Sequence, residues 1–155
     1  GAHDTTRLCL ETLDKIIKTG DTVLDMGCGS GILAISSLLL GAKSAFGVDI
    51  DPLAVKTAKE NGLMNNFKEP ELTFVCGDLD ENVKGKYSVV VANIVADVIM
   101  MFAPNVRKYM APDGVFIASG IIDTRADEVI SCLESNGFTI VERYEQNGWN
   151  CLVMR

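Results

Sequence analysis

The sequence predicts an α/β fold, a doubly wound and mostly parallel seven-stranded sheet that ends in an antiparallel hairpin. Three observations predict it. Apolar runs alternate with helix-like stripes from residue 22 to residue 135, the order of a parallel sheet with crossover helices. The runs "YSVVVAN" and "GVFIAS" are continuously apolar, as strands covered on both faces are. Near the end, "FTIVERYEQ" and "WNCLVM" flank Asn147-Gly148, the strongest short signal for a two-residue hairpin turn.

Residues 5–18 carry Leu8, Leu10, Leu13, Ile16 and Ile17 at helical spacing, with Thr5 as the expected cap and Gly20 closing the segment. Strands follow at 22–26, 44–48, 72–76, 87–92 and 115–119, and helices at 31–40, 51–63, 95–109 and 124–135. Asp51 suits an N-cap and Pro52 the first helical position. Pro104 is expected to break or kink its helix near Ala103. Trp149 is expected to pack across the hairpin. Met100, Met101 and Met110 read as core or groove lining.

With 155 residues, 48% hydrophobic and 23% charged, the chain suits one globular domain over 1–155. Its longest nearly apolar run, residues 32–40, is far short of the roughly 20 residues a membrane helix needs. The start "GAHDTTRLCLETLDK" lacks the features of a signal peptide. The expectation is a cytoplasmic monomer with no membrane partner. Five cysteines without a CxxC pair read as reduced core thiols, and a single histidine argues against a metal site. A net charge of -7 opposes direct nucleic-acid binding.

In such a sheet, ligands lie beyond the carboxyl ends of the strands. There the sequence places Asp25 with the loop "GCGSG", then Asp49, Asp78 and Asn93. Gly27, Gly29 and Gly31 let a ligand approach the backbone. Asp49, 22 residues after Gly27, has the spacing of an acid that grips ribose hydroxyls. The glycines run G-x-G-x-G rather than the nicotinamide pattern G-x-G-x-x-G, with Asp25 ahead of them. A pyrophosphate would meet like charge at Asp25, whereas a cofactor bearing an ammonium and a sulfonium would not. S-adenosylmethionine fits, with its ribose on Asp49, Ile50 beside it, and its adenine amino group on Asp78.

The blocks "GAHDTTRLCLETLD", "VLDMGCGSGILAI", "GVDIDPLAV", "VVVANIVAD" and "SGII" resemble the ribosomal protein L11 methyltransferase family (PrmA type). The resemblance implies a class I, Rossmann-like methyltransferase that uses S-adenosylmethionine to methylate lysine side chains and the α-amine of one ribosomal protein. It implies cofactor contacts from Thr6, Gly27, Asp49 and Asn93. It also implies an N-terminal substrate-recognition domain that these residues lack. Ser88 stands where the family usually has an acid, with little consequence expected so far from the active rim.

Each candidate has a plainer role. Asn93 could cap the helix that begins near residue 95, Thr6 could be a helix-start residue, and Asp78 could serve a turn with Gly77. Asn93 is the best candidate for orienting the reacting amine. A methyltransferase for another protein or a small molecule, a nucleotide-binding oxidoreductase and a non-catalytic cofactor-binding module remain as alternatives.

Overall fold

A computed structural model describes residues 2–155. One seven-stranded sheet runs in the order β3-β2-β1-β4-β5-β7-β6. Its strands are β1 (Thr22–Met26), β2 (Ser44–Asp49), β3 (Leu72–Cys76), β4 (Tyr87–Asn93), β5 (Met110–Ile122), β6 (Ile140–Gln146) and β7 (Trp149–Met154). The first five are mutually parallel; β7 lies antiparallel between β5 and β6. Strand order reverses between β1 and β4, the crevice where such sheets hold ligands.

Among the described residues six α-helices flank the sheet: α1 (Ala2–Ile16), α2 (Ile32–Leu39), α3 (Pro52–Met64), α4 (Leu79–Asn82), α5 (Ala96–Val106) and α6 (Asp123–Ser135). The central strands β1, β4, β5 and β7 are buried on both faces because successive side chains feed two cores, whereas edge strand β6 is largely exposed. Leu24, Met26, Val90, Ala92, Phe116 and Ala118 join the core under α5 and α6. Val23, Val89, Val91 and Ile117 join the one under α1, α2 and α3. Buried apolar strands thus leave the polar groups at their ends as the sheet's chemistry. The hairpin turn is as read: Asn147 and Gly148 both have positive φ, 50° and 82°, as a type I′ turn requires. Trp149 is half-buried and packs on the α1-side core.

Several expectations are corrected. The first helix begins at Ala2, so Thr5 and Thr6 lie within it and Thr5 is buried. Thr5 is therefore no cap. Pro104 lies inside α5, which continues to Val106 before the 3₁₀ turn Arg107–Tyr109. The carbonyl left without its helical donor by Pro104 is that of Met100, and it accepts the Cys132 thiol of α6 at 3.9 Å. Of the five cysteines, Cys9, Cys28 and Cys151 are core; Cys132 is half-buried and Cys76 exposed. Met110 is buried and Met100 half-buried, while Met101 stands in solvent.

Ser88 is a clip at the far end of the sheet. Its hydroxyl donates to Asp21 Oδ1 at 3.0 Å and accepts the Thr22 amide at 2.9 Å. Its own amide donates to Thr22 Oγ1 at 3.1 Å. These bonds join the starts of β1 and β4, at the end opposite the candidate rim. Among the described residues no helix is long and apolar enough to cross a membrane.

Candidate functional site

Asp49 ends β2 and locks the loop that follows β1. Its Oδ2 accepts the Gly29 amide at 2.9 Å and its Oδ1 accepts the Asp51 amide at 2.9 Å. The Val48 carbonyl takes the amides of Gly27 and Cys28 at 2.8 and 3.0 Å. Each carboxylate oxygen has two lone pairs, so one on each remains for hydroxyl donors. Asp51 caps α3 by accepting the Leu53 amide, with Pro52 next, as read from the sequence. Asp49 is thereby left for the loop and a ligand.

The three loop glycines do different things. Gly31 (φ 83°) sits where a Cβ would lie 2.7 Å from Phe74, so it permits close packing of loop on strand. Gly27 touches the segment after β4, since a Cβ there would meet Ile94 Cγ2 at 2.9 Å. Gly29, with φ 53°, faces open space: a Cβ would meet nothing within 4 Å. Its bare backbone is the part of the loop a ligand can lie against.

Asp25 is wholly buried behind this loop, and neither of its oxygens has a hydrogen-bond partner. Burial pushes its pKa up to about 7; the Ala34 amide in the first turn of α2 pulls the other way and Asp49 adds to the rise. Its carboxylate makes no hydrogen bond to the glycine loop. Burial, then Asp25 and Asp49, raise the Cys28 thiol far above its ordinary range. Cys28 stays protonated and inert.

Asn93 ends β4, paired with Ser119 of β5. Its Oδ1 is buried without a partner, a state that costs about 1–3 kcal/mol unless a donor arrives. It does not cap α5: the N-cap position is Val95, with no side-chain bond. The Ser119 hydroxyl reaches the Thr5 carbonyl at 3.5 Å, which ties the Thr5-Thr6 turn of α1 to this end of the sheet. Thr6 is half-buried there.

Asp78 has a structural role, though not the turn with Gly77 considered from the sequence. It caps α4, a single turn invisible in the sequence, by accepting the Glu81 amide at 3.2 Å. It remains exposed, and the neighbouring Gly77 amide donates to the Asp49 carbonyl at 2.9 Å. Ile50 is 80% exposed, an apolar side chain held in water above this rim.

The predicted residues thus form one connected edge, from Asp78 through Asp49, Gly29, Gly27 and Asn93 to Ser119 and the Thr5-Thr6 turn. Ser119 and Ile94 belong to it but were not singled out from the sequence, where nothing local marks them. The cavity of about 310 Å³ between α3 and β3, lined by Lys59, Leu63 and Phe67, contains none of the edge residues. Among the described residues no group of three His, Cys, Asp or Glu is placed to hold a metal ion.

The edge can receive a ligand that offers hydroxyls to Asp49, carries positive charge toward Asp25 and presents a donor to Asn93. The sequence model of the family described as "Ribosomal protein L11 methyltransferase (PrmA)" matches residues 1–155. A ribosomal protein L11 methyltransferase from Clostridium perfringens is 46% identical over 155 residues, covering 100% of this chain and 49% of the relative. The chain spans about half the length of the curated relatives it matches. A ribosomal protein L11 methylase from Lactobacillus delbrueckii subsp. bulgaricus superposes with a TM-score of 0.94 at 32% identity, over 100% of this chain and 79% of that one. An RNA methyltransferase from Salinibacter ruber, solved with S-adenosyl-L-homocysteine, shares the fold at a TM-score of 0.73 and 18% identity, over 95% of this chain and 89% of that one.

Proposed function

The chain belongs to the ribosomal protein L11 methyltransferase (PrmA) family, and from that premise we propose that its rim binds S-adenosylmethionine and methylates amino groups of ribosomal protein L11. Lysine side chains and the α-amine are the acceptors this reading names. Residues 1–155 act as the catalytic domain, a monomer in the cytoplasm that needs neither nucleic acid nor membrane. The clamp of Gly29 on Asp49 at 2.9 Å carries the reading. It holds a bare, open backbone beside an acid with lone pairs to spare.

When bound, the cofactor supplies an electrophilic methyl group on a sulfonium that leaves as a neutral thioether. Asp49 accepts the ribose hydroxyls, Ile50 covers the adenine, and Asp78, exposed beside its cap bond, takes the adenine amino group. Gly29 gives the amino-acid portion its resting surface, with Gly27 and Gly31 fixing the loop's shape. Asp25 supplies negative potential to the cationic end without touching it. Thr6 closes the edge from α1.

The chain's task on the other substrate is to align a neutral amine. Lysine in water has a pKa of about 10.4, and withdrawal from water lowers it. Asn93 Oδ1, buried and without a donor, accepts an N–H of the arriving amine and turns its lone pair to the reacting carbon. The test is methyl transfer from labelled S-adenosylmethionine to purified ribosomal protein L11, using the complete gene product. Incorporation into L11 supports the reading; none into L11, with tight NAD binding instead, favours an oxidoreductase.

A further inference from the structure

We propose that Val95 and Ile122 form an apolar collar that strips water from the acceptor lysine as it reaches Asn93, a positioning role that rests on the amine-methylating reading above. Val95 immediately precedes α5 and Ile122 immediately precedes α6. Their side chains are 63% and 43% exposed, large apolar groups held in water at the rim. Both occupy N-cap positions, where Ser, Thr, Asp or Asn would supply an oxygen to the orphan amides of the first turn. Neither helix has a side-chain cap bond. On the cofactor half of the rim the rule is kept, with Asp51 capping α3 and Asp78 capping α4. Two neighbouring helices that forgo a polar cap break a local rule on the same side of the site, as functional positions do.

The fold brings the two positions together beside the acceptor. Asn93 and Ser119 pair in register, and the Ile94 amide donates to the Ser119 carbonyl at 3.2 Å. The bulge at Gly120 packs β5 closely on the end of β4, since a Cβ there would lie 2.8 Å from the Ile94 carbonyl oxygen. Just beyond, Arg125 of α6 bonds Asp97 of α5 at 2.7 Å and Glu128 at 2.6 Å. Val95 and Ile122 thus stand on two segments clipped to each other on both sides, and Val95 is two residues from the buried, unpartnered Oδ1 of Asn93. A lysine whose nitrogen donates to that oxygen lays its methylene stem against them. The stem matches their apolar chemistry. Its charge matches the corner, where segments 93–100 and 119–128 hold Asp97, Asp123, Asp127 and Glu128 and no lysine.

Only a neutral amine has a lone pair to give. In water a lysine ammonium keeps its proton up to a pKa of about 10.4, and apolar surroundings favour the neutral form. With the collar around its stem, the ammonium sheds a proton to water. The freed lone pair forms the N–C bond while the electrons of the S–C bond stay on the departing thioether sulfur. Each unit by which the collar lowers the pKa raises the reactive fraction about tenfold at neutral pH.

The test measures kcat for methyl transfer to L11 lysines from pH 7.5 to 9.5, with both substrates saturating, for the complete gene product and its double variant Val95→Ser, Ile122→Ser. Under those conditions kcat follows the titration of groups in the bound complex. The unsubstituted profile is expected to level off with an inflection at least about one unit below 10.4. The variant is expected to move that inflection up by about one unit, so that its deficit is about tenfold at pH 7.5 and about half that or less at pH 9.5. The other charged groups around this corner are Asp123 on α6, Asp25 on β1, and His3, Asp4 and Arg7 on α1. All are the same in both proteins, so the difference between the profiles belongs to the two substituted side chains. Serine is a preferred N-cap, so Tm should hold or rise, and S-adenosylhomocysteine affinity should stay as it was. If the double variant fails to fold, Val95→Ser alone should give a smaller shift of the same sign. Val95→Leu with Ile122→Leu is expected to leave the inflection in place, whatever it does to the rate. A deficit of equal size at every pH, no deficit, or an unsubstituted profile still climbing tenfold per unit at pH 9.5 overturns the collar alone. No methyl transfer to L11 by the unsubstituted protein overturns the proposed function and this inference with it.

Discussion

The amide of Gly29 donates to Asp49 Oδ2 at 2.9 Å, which fastens the loop after β1 to the end of β2. The bond makes Gly29 and Gly31 separable by experiment. Gly29→Ala places a methyl in the open cradle and strains a backbone with φ 53°, at about 1–2 kcal/mol. It is expected to lower S-adenosylhomocysteine affinity at least tenfold in calorimetry with a modest fall in Tm. Gly31→Ala drives a methyl to 2.7 Å from Phe74, and its main effect should be a large loss of Tm.

Asp25 should couple stability to pH. Its folded-state pKa of about 7 stands above the ordinary 3.8, so between those values the folded protein keeps a proton that the unfolded chain has released. Its stabilising contribution is full below about pH 4 and is lost as pH rises through 7, at about 1.4 kcal/mol per unit of displacement. Asp25→Asn should flatten that part of the slope in melts taken from pH 4 to 8. A wild-type profile that the substitution leaves unchanged would contradict the assignment.

A cationic cofactor favours the ionised form of Asp25. Binding at pH 6 should therefore release a proton, and the calorimetric enthalpy should vary with the ionisation heat of the buffer. Affinity should weaken as pH falls below 7. In Asp25→Asn most of the buffer dependence should vanish.

Ser88 provides a contrast, because its bonds to Asp21 and Thr22 lie at the opposite end of the sheet. Ser88→Ala should cost about 0.5–1.5 kcal/mol per lost bond, visible as a lower denaturation midpoint. Cofactor affinity measured under native conditions should not move.

Most of this architecture was legible because its strands are continuous apolar runs. Thr22–Met26 and Leu72–Cys76 match the sequence reading to the residue. The misses share a cause, in that tertiary contacts override local rules. Pro104 stays helical where the Met100 carbonyl finds the Cys132 thiol. Strand β5 runs through Pro112, Asp113 and Gly114, residues poor in β propensity, to span residues 110–122. Helix α4 has one turn and so no period to detect. At the edge, the polar strand ends were visible as residue types at spacings. The unpartnered state of Asp25 and Asn93 was not, since it depends on groups distant in sequence. Gly120 was one glycine in "SGII" until the bulge showed what its missing side chain faces.

Calorimetric titration of S-adenosylhomocysteine into the protein and into Asp49→Ala tests the central claim most directly. Removing the carboxylate releases the Gly29 amide and takes away the acceptor proposed for the ribose, with charge-assisted bonds worth about 1.5–3 kcal/mol. The account predicts measurable binding by the unsubstituted protein and an affinity weakened at least tenfold in the variant. Equal affinity in both, with Asp49→Ala folded, would contradict it.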